Sequence, residues 1–181
     1  MTIIIDDAGY GDLLFGVVVG AYRLESGDFT YDVVDVKYFQ PPLYAESEYI
    51  NEASRAVNRL IEKMELSEDE KIIICRGSIF DQAFKDLSQR FDEGRLSRGK
   101  IEGDAQKLTE LTYLNELRNL GYEPLPERTE KWAKSFFHMY GWLKAHPEMV
   151  KWAKTGWPKL KRYKLLRRGG QSHRSISVNK S

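Results

Sequence analysis

Ile3-Ile4-Ile5-Asp6-Asp7-Ala8-Gly9-Tyr10-Gly11 opens the chain, and Phe15-Gly16-Val17-Val18-Val19-Gly20-Ala21 follows it. A β-branched run ends in two adjacent acids, and a glycine-flanked turn leads into a second apolar strand. Carboxylates at the end of a buried strand are costly to desolvate, so such a pair usually has a task, such as holding a cation. Gly9 and Gly11 let the backbone come close to something, and a phosphate–sugar chain is one candidate.

Residues 2–7 read as a first strand, 14–23 as a second and Tyr31 to Phe39 as a third. Glu25-Ser26-Gly27-Asp28 turns between the last two, so the three strands predict an antiparallel meander, which Pro41-Pro42 ends. Across residues 46–65, Ala53, Ala56, Val57, Leu60, Ile61 and Met64 recur at helical spacing as one apolar stripe. Lys71 to Cys75 predicts a short central strand, Ile79 to Phe91 a helix, and Arg95 to Glu102 a loop or edge strand. Ala105 to Leu120 predicts a helix closed by Gly121. Pro124 and Pro126 mark a linker, 128–145 and 147–155 predict two aromatic-rich helices, and the chain from Arg167 reads as irregular. The order predicts an α/β domain over 1–126, with the meander and parallel strands in one mixed sheet flanked by helices. A helical, basic C-terminal extension over 127–181 would pack on it.

A length of 181 residues suits one domain, or one with a small appendage. The lone cysteine, Cys75, excludes an internal disulfide framework and fits a reducing interior, and no signal peptide or membrane span is legible, so the chain reads as cytoplasmic. The net charge of +1 conceals an asymmetry: residues 1–148 hold 18 Lys and Arg against all 27 acids, whereas 149–181 hold 10 and no acid. A basic tail beside an acidic body suits a polyanion partner, although a solvated terminus has the same composition.

The motifs resemble the type 2 ribonuclease H enzymes, ribonuclease HII. That family opens with an apolar strand, then Asp-Glu-Ala-Gly-Arg-Gly and a valine-rich strand, and Asp6-Asp7-Ala8-Gly9-Tyr10-Gly11 stands in its place here. Its Gly-Gly-Asp-Ala motif is matched by Glu102-Gly103-Asp104-Ala105, and its Tyr-Gly-Phe segment by Tyr140-Gly141-Trp142 with Lys144 and His146. Its C-terminal arginine motif is matched by Leu166-Arg167-Arg168-Gly169-Gly170 and His173-Arg174-Ser175. The resemblance spans the chain in the right order and implies a ribonuclease H-like fold.

It further implies metal-dependent nuclease activity on RNA in an RNA–DNA hybrid or a related nucleic acid, with two Mg²⁺ or Mn²⁺ ions held by carboxylates. Asp6, Asp7 and Asp104 would be the ligands. Asp7 replaces a glutamate one methylene longer, and both strand-end acids reach one metal only if the chain turns at Asp7. Asp104 precedes an apolar helical run, so an N-cap role stands beside the metal role. The family's carboxylate at the end of the fourth strand falls about at Arg76, and Asp81, one helical turn on, would have to reach in as the remaining catalytic acid. Gly9, Tyr10 and Gly11 would approach the substrate backbone, and Arg76, Lys161, Arg162, Arg167, Arg168 and Arg174 would contact nucleic acid. The missing fourth-strand acid sustains the alternative of a catalytically inactive nucleic-acid-binding protein. Glu48 and Glu52 read as a solvated helix face, and the tryptophans as helix packing.

Overall fold

The computed structural model describes residues 1–126, 128 and 130–167. Five strands, β1 (Thr2–Ala8), β2 (Val17–Arg23), β3 (Phe29–Val34), β4 (Lys71–Cys75) and β5 (Leu96–Gly99), form one mixed sheet in the order β3-β2-β1-β4-β5. β1, β2 and β3 pair antiparallel, while β1–β4 and β4–β5 are parallel. Helices α1 (Glu48–Lys63), α2 (Asp81–Leu87), α3 (Asp104–Asn119) and α4 (Trp132–Ala145) flank it. The fold is thus α/β with a mixed sheet, as the sequence pattern predicts.

The third strand ends at Val34 rather than running to Phe39. The Asp35 carboxylate accepts from the Lys37 N–H at 2.8 Å and starts a 3₁₀ turn, Val36–Phe39. The stretch predicted as a helix over 79–91 is a 3₁₀ turn, Ser78–Phe80, followed by the short α2. The predicted loop or edge strand over 95–102 contains β5, a parallel edge strand. The first aromatic helix begins at Trp132, not at 128, and the second is a 3₁₀ segment, Pro147–Trp152, opened by its proline.

Each face of the sheet carries its own core. Ile3, Ile5, Val17 and Val19 pack beneath the α1 stripe, where Ala53, Ala56, Val57, Leu60, Ile61 and Met64 are all buried. On the other face Ala8, Leu13, Leu14 and Val18 pack with Tyr113 and Leu117 of α3 and with Phe136, Met139 and Leu143 of α4. The extension is stitched to the sheet through its backbone: Leu14 bridges Ala153, Phe15 N–H donates to Trp152 O at 2.8 Å, and Lys154 N–H donates to Leu13 O at 2.8 Å. Among the described residues no helix is long and apolar enough to cross a membrane.

Two glycines set how closely α3 lies on the sheet. A Cβ on Gly20 would fall 2.2 Å from Thr109 Oγ1. Gly9 has φ +89°, and a Cβ there would fall 2.3 Å from a ring carbon of Tyr113, whose hydroxyl donates to Leu14 O at 2.9 Å. Gly9→Ala therefore combines a left-handed backbone with a clash against a fully buried ring, and should cost more than about 2 kcal/mol in a denaturant-unfolding measurement.

Candidate metal centre

The ladder from β1 to β4 stops at Ile5–Ile74, while the ladder to β2 continues to Ala8. Asp6 and Asp7 thus remain in extended backbone but flank the end of β4, and no turn at Asp7 is needed to bring them together. A carboxylate oxygen of each and Cys75 Sγ all lie within 4.8 Å of one another. Asp6 is 6% exposed and Asp7 half-buried, with Asp7 Oδ1 3.2 Å from where a Gly77 Cβ would stand.

Desolvation dominates the electrostatics. Burial raises the Asp6 pKa against hydrogen bonds from the Cys75 thiol and the Asp7 backbone. Burial, reinforced by Asp6, pushes Asp7 up to about 7, with Lys154 opposing and Glu110 adding. Cys75 is pushed up to about 11 by burial, partly offset by the Gly77 backbone. It therefore stands here as a thiol that donates to Asp6.

A second set of charges surrounds this trio. Arg128, 8% exposed, bridges Asp12 with one Nη and Glu110 of α3 with the other, its Cζ 5.0 Å above the Tyr113 ring. Lys154 is fully buried; its ammonium donates to Gly9 O and lies 5.0 Å from the centroid of the Phe39 ring. Burial pushes Lys154 down to about 7 against the attraction of Asp12 and Asp7. Burial also raises Glu110, against Arg128.

The other predicted residues lie elsewhere. Asp104 opens α3 with an exposed side chain 3.5 Å from Lys107, and Gly103 occupies the cap position, so the structure brings Asp104 neither into the acid cluster nor into a cap. Asp81 is also exposed and pairs with Arg98 at 2.9 Å. Arg76 is exposed at the end of β4. Gly9 is buried under Tyr113, whereas half-buried Tyr10 stacks on Tyr49 with centroids 6.1 Å apart, and exposed Gly11 accepts from Trp132. Lys161, Arg162 and Arg167 are exposed, while Arg168 and Arg174 lie outside the described residues. Glu52 is not on a solvated face: it is 8% exposed and accepts from Arg55 at 2.6 Å and Arg59 at 2.9 Å.

Cys75, Asp12, Glu110, Arg128 and Lys154 were not singled out for the site from the sequence. The only signal for Glu110 is its position one turn before Tyr113 on a helix whose buried stripe is Ala105, Thr109, Tyr113 and Leu117. Lys154 carries none, because nothing local distinguishes it from the other lysines of a basic tail. No protein-family model, curated protein or solved structure gives a significant match to this chain.

Arg128→Leu removes the ion-pair partner of buried Asp12 and half-buried Glu110, leaving Lys154 as the cation near Asp12, and should lower unfolding free energy by about 2–3 kcal/mol, read by denaturant titration. A pH series tests Asp7. The unfolded chain releases this proton near 3.8 and the folded chain near 7, so the folded state holds the extra proton between them. Stability from this group falls as pH rises through that window, and Asp7→Asn should flatten the fall. Lys154 acts in the opposite sense above it: the folded chain loses its proton near 7 and the unfolded one near 10.5, so stability rises between those values. Lys154→Met should remove that rise.

Proposed function

We propose that the chain is a divalent-cation-dependent nuclease of the ribonuclease H-like class, hydrolysing phosphodiester bonds of RNA in an RNA–DNA hybrid or of a related nucleic acid. The observation that carries this reading is the convergence of Asp6 and Asp7 on Cys75 at the ends of two adjacent, central parallel strands. Strand order and direction, with a meander leading into parallel strands, support it.

Charge balance supports it too. Asp6, Asp7, Asp12 and Glu110 interact with one another, and the cations buried with them among the described residues are Arg128 and Lys154. With every group ionised the cluster carries two uncompensated negative charges, which one divalent ion neutralises. Asp6 and Asp7 would hold it. When bound, such an ion polarises a phosphoryl oxygen and acidifies water. The donors fit one cation rather than two, since Glu110 is held by Arg128, Asp81 by Arg98, and Asp104 stands exposed beside Lys107. A neighbouring thiol in place of a carboxylate favours Mn²⁺ over Mg²⁺, because Mg²⁺ demands hard oxygen ligands. The chain's own residues supply the rest: Lys154 holds the Gly9 turn through its carbonyl, and Tyr10 and Gly11 line the cleft beyond that turn.

One observation favours a second reading, a nucleic-acid-binding protein without catalysis. Cys75 and Arg76 end β4, where the resemblance calls for an acid.

Incubation of an RNA–DNA hybrid with the protein and Mn²⁺ should give cleavage that a chelator stops and that Asp6→Asn lowers by more than about a hundredfold. Undiminished cleavage by Asp6→Asn would remove this centre. Salt-sensitive binding without turnover in either Mn²⁺ or Mg²⁺ would establish the second reading. Cys75→Asp should lower the melting temperature of the metal-free protein by added repulsion, and enlarge the upward shift that Mg²⁺ produces.

A further inference from the structure

The turn that follows the acid pair also borders a cleft walled by aromatic rings. Its volume is about 560 Å³, and Tyr10, Trp132, Phe137 and Trp157 contribute to its walls, with Lys159 and Arg162 and no acid among the described lining residues. That size is in the range of pockets that hold small planar ligands. Trp132 and Phe137 are 55% and 56% exposed, although Phe136 between them is buried. Trp132 packs on Phe136 of its own helix, as expected of the tryptophans, but leaves its other face open.

These exposed rings are fixed in place. Trp132 stacks on Phe136 with centroids 5.8 Å apart, and its indole N–H donates to Gly11 O at 2.7 Å. Phe137 is gripped edge-on by Phe136 at 5.4 Å and Tyr163 at 6.5 Å. Rigid aromatic faces held open to water cost little further entropy when a flat partner covers them. A purely apolar occupant would leave the two cations without a purpose, and a simple anion would leave the rings uncovered. A nucleotide uses both, its base on the rings and its phosphate against Lys159 and Arg162.

We infer that this cleft takes an unpaired nucleobase of the strand on whose backbone the carboxylates act. This rests on the nuclease reading and narrows it. Bases inside a duplex already stack on each other and cannot present a face, so the occupant is a single-stranded overhang or junction. Tyr10 and Gly11 line the cleft and follow Asp7 by three and four residues, so the turn after the acid pair forms part of the cleft wall.

The test is binding in chelator, which separates it from cleavage. The full-length protein is titrated with an RNA–DNA hybrid bearing a 2-aminopurine overhang and with the same hybrid made blunt. The overhang should bind about tenfold more tightly and its emission should be quenched. Phe137→Ala and Arg162→Ala, each with an unchanged circular-dichroism spectrum, should erase most of that advantage, and Asp6→Asn should keep it. Equal affinity for blunt and overhanging hybrids, or an overhang advantage untouched by both variants, overturns the inference. So does displacement of the overhang by free AMP at equal base concentration, which would assign the cleft to mononucleotides. Overhang preference without cleavage in Mn²⁺ removes the nuclease reading and leaves the cleft standing. Equal cleavage of both hybrids, with no difference in binding, does the reverse.

Discussion

Four carboxylates meet around the end of β1, and the cations buried with them arrive from the far end of the chain. Asp6, Asp7 and Asp12 belong to the first strand and its turn, and Glu110 to α3; Arg128 and Lys154 belong to the extension. Buried carboxylates are costly without counter-charge, so the C-terminal half stabilises the N-terminal half by folding back over it. The segment that composition presents as a basic appendage thus contributes the counter-charges of the core. Its backbone bonds to Leu13 and Phe15 hold Lys154 in register with Gly9.

Tyr113 is where the packing and the charges meet. It is fully buried, its ring leaves no room for a side chain at Gly9, its hydroxyl donates to Leu14 O, and Arg128 lies over its face. The close approach of α3 at Gly20 and Gly9 fixes the height of that helix over β1 and β2. Thr109 meets Gly20, the partner of Asp6 in the β1–β2 ladder, and this places Glu110 beside the acids. The same geometry carries Asp104, six residues earlier in α3, away from the acids and into solvent beside Lys107.

The function we propose draws on this imbalance: two acids at the carboxyl end of a parallel strand pair, with fewer buried cations than carboxylates around them. The cleft beside Tyr10 and Gly11 adds a surface of opposite character, flat, aromatic and cationic. A polyanion with planar bases would meet the first surface through a bound divalent ion and the second directly.

Much of the architecture was legible without coordinates. Uninterrupted β-branched runs specified β1, β2 and β4, because strands covered on both faces are apolar throughout, and the apolar stripe of α1 specified its buried face, because burial on one face of a helix leaves a period in the sequence. The Asp6-Asp7 pair was equally visible, since charge at the end of an apolar strand is a local anomaly. The roles of Lys154, Arg128, Cys75 and Glu110 were not. A buried ion pair between residues more than a hundred positions apart, such as Asp12 and Arg128, leaves no local trace. Asp104 and Asp81 looked like site residues because of what precedes and follows them in the chain, but the rotation and height of a helix over a sheet are set by packing. Local order wrote the strands and the acid pair; close approach at Gly9 and Gly20, and the electrostatic demand for buried counter-charge, decided which distant residues share the site.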